Sequence, residues 1–388
     1  MHEEPLGDIA TVIMGQSPPG AKCNTRGAGL PLLNGPTEFG DHHPIPVQWT
    51  TDARRSCIPG ALLLCVRGST TGRMNRADQV YAIGRGLAAI QSDDNADQNY
   101  IFYALQDRLV RLLERTTGSV FPNVSRADIS SLPVSWPTRP ARMAISSVLA
   151  ALDKKIENNR RSIGIISEVI STTWLQQFGA PNDRDWPKIA IGEIADIVGG
   201  STPSTTFQDY WGGTIAWATP RDLSHLPSVA LLDTERHITE LGLGQISSGL
   251  LPAGTVLLSS RAPIGYLAIT EVPVAVNQGF IALIPGARAS NVYLWQWLQN
   301  HSEDVNARAN GTTFLEVSKA NFRPLPIALP PEDLMRQWTV SATQQFRLIV
   351  AKERESLILT ELRNFILPRL FSGELRVCNA ESLVEEVV

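Results

Sequence analysis

Residues 123–137 read NVSRADISSLPVSWP, and residues 316–330 read EVSKANFRPLPIALP. Val124, Ser125, Ala127, Leu132, Pro133 and Pro137 recur as Val317, Ser318, Ala320, Leu325, Pro326 and Pro330, at a constant offset of 193 in a chain of 388 residues. Other pairs are chemically close: Arg126 with Lys319, Asp128 with Asn321, Ile129 with Phe322. The offset is almost half the chain. A period this long is not that of a solenoid, so each copy is expected to be a domain.

On either side of this pair the halves fall into register. Leu6–Ala10 (LGDIA) answers Ile191–Ala195 (IGEIA), and GQSP at 15–18 answers GGSTP at 199–203 with one insertion. IPGALLL at 58–64 resembles LPAGTVLL at 251–258, and Arg67 falls opposite Arg261. GLAAI at 86–90 meets GFIAL at 279–283, and Tyr100 meets Tyr293. Apolar runs of four to six, such as ALLLCV at 61–66 and FIALI at 280–284, sit between Gly, Pro, Asn and Ser turns and predict short strands. Helix signals follow over 98–115 and 291–308. The predicted fold class is therefore α+β: a tandem duplication of an α/β globule, each copy followed by a long helix.

That helix is written in the spacing past Pro137. Ile145, Leu149, Leu152, Ile156, Ile163, Ile166 and Ile170 hold a 3.5-residue period, with polar Asn159 in the one core-phase gap. A helix of about 38 residues is ~57 Å long, and a small globule cannot bury such a seam by itself. The second copy supplies a partner between Pro331 and Ser372, with a stripe at Phe346, Val350, Leu357, Ile358, Leu362 and Phe365 that shifts phase near 357. Helix one leads into domain two, so helix two must run back to pair with it, giving an antiparallel coiled coil. Asn159 either fixes the register of that pair or marks where the seam loosens. The boundaries read as 1–137 for domain one, 138–180 for its helix, 187–330 for domain two and 331–375 for the second helix. Residues 376–388 read as an acidic, mobile tail.

Composition narrows the function. At 43% hydrophobic the chain can bury more than one core, and no apolar run approaches the ~18 residues that span a bilayer. MHEEPLGDIA carries acids where a signal peptide needs basic and then apolar residues, so a cytoplasmic protein is expected. Cys23, Cys57, Cys65 and Cys378 show no CxxC pairing, and no second cluster accompanies His42 and His43 beside Asp41, so no metal is expected. The net charge of −4 argues against bulk electrostatic capture of nucleic acid. Yet 28 of the 34 basic residues are arginine, which suits bidentate phosphate and guanine contacts, as it suits a GC-rich coding sequence. Dinucleotide, P-loop, amino-methyltransferase, nuclease and Ser/His/Asp patterns are all missing, so the chain reads as non-catalytic with no cofactor of its own.

The order of these pieces resembles the specificity subunits of Type I restriction-modification systems. The resemblance rests on GQSPPG at 15–20, GLPLLNG at 29–35, IPGALLLCVRGSTTG at 58–72, AIGRGLAAI at 82–90 and TTGSVFPNVSRADISSLPVSWP at 116–137. GGSTPSTT at 199–206, GTIAWATPRDL at 213–223, LLSSRAPIGYLAIT at 257–270, NGTTFLEVSKANFRPLPIALP at 310–330 and LRNFILPRLFSGEL at 362–375 continue it. It implies two target-recognition domains, each reading one half of a bipartite, asymmetric sequence in double-stranded DNA. The paired helices would set the spacer and dock two modification (methyltransferase) subunits. S-adenosylmethionine would bind to those subunits, and ATP and Mg²⁺ to motor-nuclease subunits that join them.

Recognition domains diverge with their targets, so candidate contacts come from residue type: Arg, Lys, Asn, Gln, Ser and Thr in predicted loops. In domain one these are Gln16, Ser17, Lys22, Asn34, Arg67, Thr71, Arg73 and Arg85; in domain two, Ser201, Thr202, Thr205, Arg221, Arg261, Asn277 and Gln278. Arg67 and Arg261 suit a DNA contact or a turn-tying structural role equally. Ser119, Asn123 and Arg126, with Thr312, Thr313 and Lys319, belong to the shared motif and suit a structural role or a phosphate contact. Trp211 and Tyr210 read as core, with stacking on an extruded base as the rival. A free-standing two-headed DNA-binding regulator, a protein scaffold and a degenerate methyltransferase remain as alternative readings.

Overall fold

The computed structural model describes residues 2–40, 43–114, 123–179, 186–261, 263–310 and 315–385. It divides into two compact units, Met1–Lys155 with Leu359–Val388, and Ile156–Ile358. Each unit holds one globule of the repeat together with a segment of both long helices.

In unit 1 the run ALLLCV becomes the strand Leu62–Cys65, buried on both faces, as a continuous apolar run requires. It lies third in a four-stranded antiparallel sheet ordered Thr11–Met14, Leu87–Gln91, Leu62–Cys65, Met74–Arg76. A five-stranded mixed sheet runs Cys23–Asn24, Gln48–Thr50, Leu30–Leu33, Tyr81–Ile83, Ser56–Cys57, with Leu30–Leu33 parallel to Tyr81–Ile83. Unit 2 repeats the plan. Its five-stranded sheet is ordered Ala195–Val198, Phe280–Pro285, Val256–Ser260, Ile264–Thr270, Ala230–Leu231, and a three-stranded sheet places Trp211–Ala218 between His237–Ile238 and Val274–Val276. A helix follows the strands in each unit, Asn95–Glu114 in one and Asn291–Asn300 in the other.

The duplicated motif builds the junction between globule and long helix. Ser125 caps the helix Arg126–Ser130 by accepting from the Asp128 N–H, and Ser318 caps Lys319–Phe322 by accepting from the Asn321 N–H. The strand Pro133–Ser135 pairs with Glu3–Pro5, and Pro326–Ala328 pairs with Lys188–Ala190. Tyr100 Oη donates to the Ser135 carbonyl at 2.8 Å, and Tyr293 Oη to the Ala328 carbonyl at 3.4 Å. Each tyrosine also carries an aromatic ring from the far end of the other repeat's long helix: Phe371 at 5.1 Å from Tyr100, Phe178 at 5.2 Å from Tyr293. Burying each phenylalanine is worth roughly 1.5–3 kcal/mol.

The long helices are Arg139–Phe178 and Glu332–Ser372, and they pair antiparallel. Within unit 2, Thr173 meets Trp338 while Asn159 meets Ser356 (Asn159 Nδ2 to Ser356 Oγ, 3.3 Å). Ile163, Ile170, Phe346 and Val350 share one buried core there with Trp174 and Ile349, Ile166 packs against it, and Ile156 is buried. Within unit 1, Ile145, Leu149 and Leu152 are buried, and Arg363 pairs with Asp153 at 2.7 Å.

Two readings are corrected. Leu357, Ile358 and Phe365 stand half exposed, and Leu362 is only partly buried. The buried stripe of the second helix runs Met335, Trp338, Ala342, Phe346, Ile349, Glu353, Ser356, Leu359, with every step three or four residues. Polar Glu353 and Ser356 occupy seam positions, so apolar periodicity points instead to exposed neighbours such as Leu357 and Ile358. The stretch read as a mobile tail instead contains the helix Val377–Glu385, because Ala380 and Val384, one turn apart, are buried.

Candidate nucleic-acid interface

In unit 1 the GQS stretch is pinned to the turn around Arg85. The Gly15 N–H donates to the Leu87 carbonyl (2.8 Å) and the Gln16 N–H to the Ile83 carbonyl (2.9 Å). A Cβ on residue 15 would lie 2.1 Å from the Gly84 oxygen, so only glycine allows this approach. The Arg85 N–H donates to Ser17 Oγ at 3.3 Å. The Asn34 carbonyl lies hard against Gly86, and Asn34 Nδ2 donates to Gln48 Oε1 at 3.2 Å. Gln16, Ser17, Asn34 and Arg85 therefore meet on one exposed surface.

The neighbouring loop is tied on by the Val66 N–H, which donates to the Gly86 carbonyl at 2.9 Å. Arg67, next in sequence, forms a β-bridge with Asn123. Thr71 donates to the Gly68 carbonyl, and the Arg73 carbonyl accepts from the Cys65 N–H, so Arg73 leaves the same loop. Lys22 and Arg126 are exposed on separate elements, the short turn Gly20–Lys22 and the helix Arg126–Ser130. Ser119, Thr312 and Thr313 lie outside the described residues.

Unit 2 rebuilds the frame. The Ser201 N–H donates to the Val276 carbonyl at 3.1 Å, and a Cβ on Gly200 would sit 1.7 Å from that oxygen. Thr202 Oγ1 donates to Gln278 Oε1 at 2.5 Å, and Asn277 Oδ1 accepts from the Gly279 N–H. Ser201 Oγ donates to the Gln245 carbonyl, and the Lys319 side chain runs past Gly199, so Ser201, Thr202, Asn277, Gln278 and Lys319 are brought together. Thr205 is exposed farther along the same loop. Arg221, in the helix Pro220–Ser224, lies 3.5 Å from Glu235, and Arg261 lies 3.8 Å from Glu316.

Ion pairing separates the arginines of the two units, while Lys319 of the second cluster, like those of unit 1, has no ion-pair partner among the described residues. Among the described residues Lys22, Arg67, Arg73 and Arg85 enter no ion pair, whereas Arg221 and Arg261 each face a glutamate. Trp211 packs edge-to-face on Trp217 at 5.0 Å, Arg236 lies 3.6 Å over its ring, and its Nε1 donates to the Ser204 carbonyl. Tyr210 stacks obliquely on Phe207 at 5.4 Å. Gln48 joins the first cluster and Gln245 the second, and neither is among the expected contacts. Neither matches across the repeat, and a polar side chain near a turn was their only signal. Behind the first cluster, burial and the Asp78 carboxylate push the Tyr81 hydroxyl up to about 12, so it stays a neutral donor to Asp78. No described helix is long and apolar enough to cross a membrane, and the described residues hold no group of three or more His, Cys, Asp or Glu that would hold a metal ion.

Comparison with known proteins follows the same division. The family profile described as Type I restriction modification DNA specificity domain matches twice, over residues 2–165 and 183–337. The Type I restriction enzyme MjaIX specificity subunit of Methanocaldococcus jannaschii is 37% identical over 182 residues, covering 46% of this chain and 42% of that protein. The Type I restriction enzyme HindI specificity subunit of Haemophilus influenzae is 24% identical over 195 residues, 50% of this chain and 42% of its own length. The matches thus span less than half of the relatives' own length. The crystal structure of a Type I restriction-modification system S subunit from M. genitalium shares the fold, with a TM-score of 0.61 and 17% identity over 95% of this chain and 96% of that one. With the profile matching both halves, the chain belongs to the Type I restriction-modification DNA specificity family.

Proposed function

We propose that this chain is the DNA sequence-specificity subunit of a Type I restriction-modification complex, itself non-catalytic and cytoplasmic. Each unit reads one half of a bipartite, asymmetric site in double-stranded DNA, and the paired helices set the spacer between the halves. The observation that carries this reading is one glycine-pinned frame built twice with different exposed side chains. A single site read twice would keep those side chains alike; two different half-sites would not.

The helices would also dock two modification subunits, with restriction subunits joining them. Exposed apolar residues on the long helices, among them Met143, Ile165, Val340, Leu348 and Phe365, support a protein partner there. S-adenosylmethionine would be held by the modification subunits, and ATP and Mg²⁺ by the motor-nuclease subunits. Co-expression with a Type I modification subunit, followed by mapping of N6-methyladenine on host DNA, tests the proposal. Methylation is expected in two half-motifs separated by a constant gap. Binding of S-adenosylmethionine to the isolated chain, or methylation at one undivided motif, would count against it.

A further inference from the structure

We propose that Arg85 and Gln278 occupy one equivalent position in the two units and that each selects a base there, Arg85 a guanine and Gln278 an adenine. The inference rests on the DNA-reading function proposed above and goes beyond it by assigning a base to a residue in each half-site.

The equivalence is geometric. Gln16 and Ser201 each donate a backbone N–H to the last residue of a strand, Ile83 and Val276. Arg85 and Gln278 lie two residues beyond those carbonyls. The hydroxyl one residue after the pinned N–H then meets that position in both units: Ser17 Oγ accepts from the Arg85 N–H, and Thr202 Oγ1 donates to Gln278 Oε1. Gly15 and Gly200 allow the two backbones to touch, and no other residue fits at either place. Two copies of one rigid turn therefore project two different side chains, both exposed.

Their chemistry differs in the way the grooves of DNA distinguish. Among the described residues the exposed Arg85 guanidinium meets no ion-pair or hydrogen-bond partner, and its fork of donors matches O6 and N7 of guanine. Gln278 has its amide oriented by Thr202. With one lone pair of Oε1 taken, the other lone pair and the Nε2–H remain, the acceptor–donor pair that matches N6 and N7 of adenine.

The test compares methylation motifs of the complex with a Type I modification subunit for wild type, R85Q, R85K and Q278R. R85Q and R85K are each expected to lower discrimination about tenfold or more at one position of one half-motif, leaving the gap and the other half unchanged. Lysine keeps the charge but loses the bidentate fork. Q278R should change only the other half-motif. A motif unaltered in every variant, a change in both halves, or a loss uniform over all sequences and rescued by R85K would overturn the assignment; the last would make Arg85 a phosphate contact. Thermal unfolding near wild type is expected for these exposed substitutions. If wild type itself gives no bipartite methylation, the function proposed above fails, and this assignment falls with it.

Discussion

The two junctions between globule and long helix share a backbone and differ in chemistry. In unit 1, buried Arg142 holds Asp97 with two bonds of 2.7 and 3.1 Å, donates to the Pro137 carbonyl and lies 4.0 Å over Trp136. The repeat offset puts Met335, Ser290 and Leu329 at the matching places in unit 2, and there the core is apolar, with Met335 and Trp338 buried together. What stays constant is the tyrosine reaching the strand carbonyl and the phenylalanine against its ring. The duplication has kept the pivot and replaced the filling around it.

The Arg142–Asp97 pair is where substitution should cost most. Arg142→Ala strands the Asp97 carboxylate, whose side chain is only 17% exposed, and should cost about 3–5 kcal/mol. Transplanting the apolar solution, Asp97→Ser with Arg142→Met, should recover most of that loss, because a buried pair is often no better than well-packed apolar groups. Thermal unfolding and hydrogen exchange over Asn95–Glu114 are the measurements. A single-variant loss below about 1 kcal/mol, or a double variant as damaged as the single, would show that the two junctions are not interchangeable solutions.

These particulars mark what the sequence could disclose. The repeat was legible because Gly, Pro and apolar positions answer to backbone geometry, and both copies need the same geometry at Gly15 and Gly200, at Tyr100 and Tyr293. The first helix was legible because its seam is apolar at every step but Asn159, which reaches Ser356. The second helix misled where Glu353 and Ser356 took seam positions, since periodicity weighs hydrophobicity and not burial. The pair Asp97 and Arg142 carries no local signature, because 45 residues of chain separate partners that only the fold unites. In the candidate site, residue type located most of the clusters, but not that Arg261 and Arg221 face glutamates while Arg67 and Arg85 do not.

The helix seams of the two units differ in how each carries a carboxylate. Asp153 in unit 1 is met by Arg363 at 2.7 Å and by the Tyr103 hydroxyl at 2.7 Å. Glu353 in unit 2 is buried, and burial pushes its carboxyl above the ordinary range, with the Ser228 hydroxyl and Arg160 pulling it back only in part. The folded state therefore holds this proton more tightly than the unfolded state. Its contribution is present below the usual glutamate range and is lost as pH rises through the raised value. Glu353→Gln should raise stability at pH 7 by on the order of 1 kcal/mol and leave it nearly unchanged at pH 4. Equal gains at both pH values would trace the effect to packing.

The smallest effect on stability, and the sharpest on function, belongs to the bridges at Arg67 and Arg261. Both arginines sit on the same backbone bridge, opposite Asn123 in one unit and Glu316 in the other. Arg261 and Glu316 are 36% and 46% exposed and 3.8 Å apart, so their attraction is screened and worth at most about 1 kcal/mol. Glu316→Asn writes the unit 1 bridge into unit 2. Stability should change by no more than roughly 0.5 kcal/mol, while the freed guanidinium becomes available to a phosphate. In the complex with a modification subunit, the slope of log affinity against log salt should then steepen by about 0.9, the counterion share of one phosphate. A loss of several kcal/mol would instead make Arg261 a structural tie, and the difference in pairing between Arg67 and Arg261 would then reflect folding demands and not the DNA each one meets.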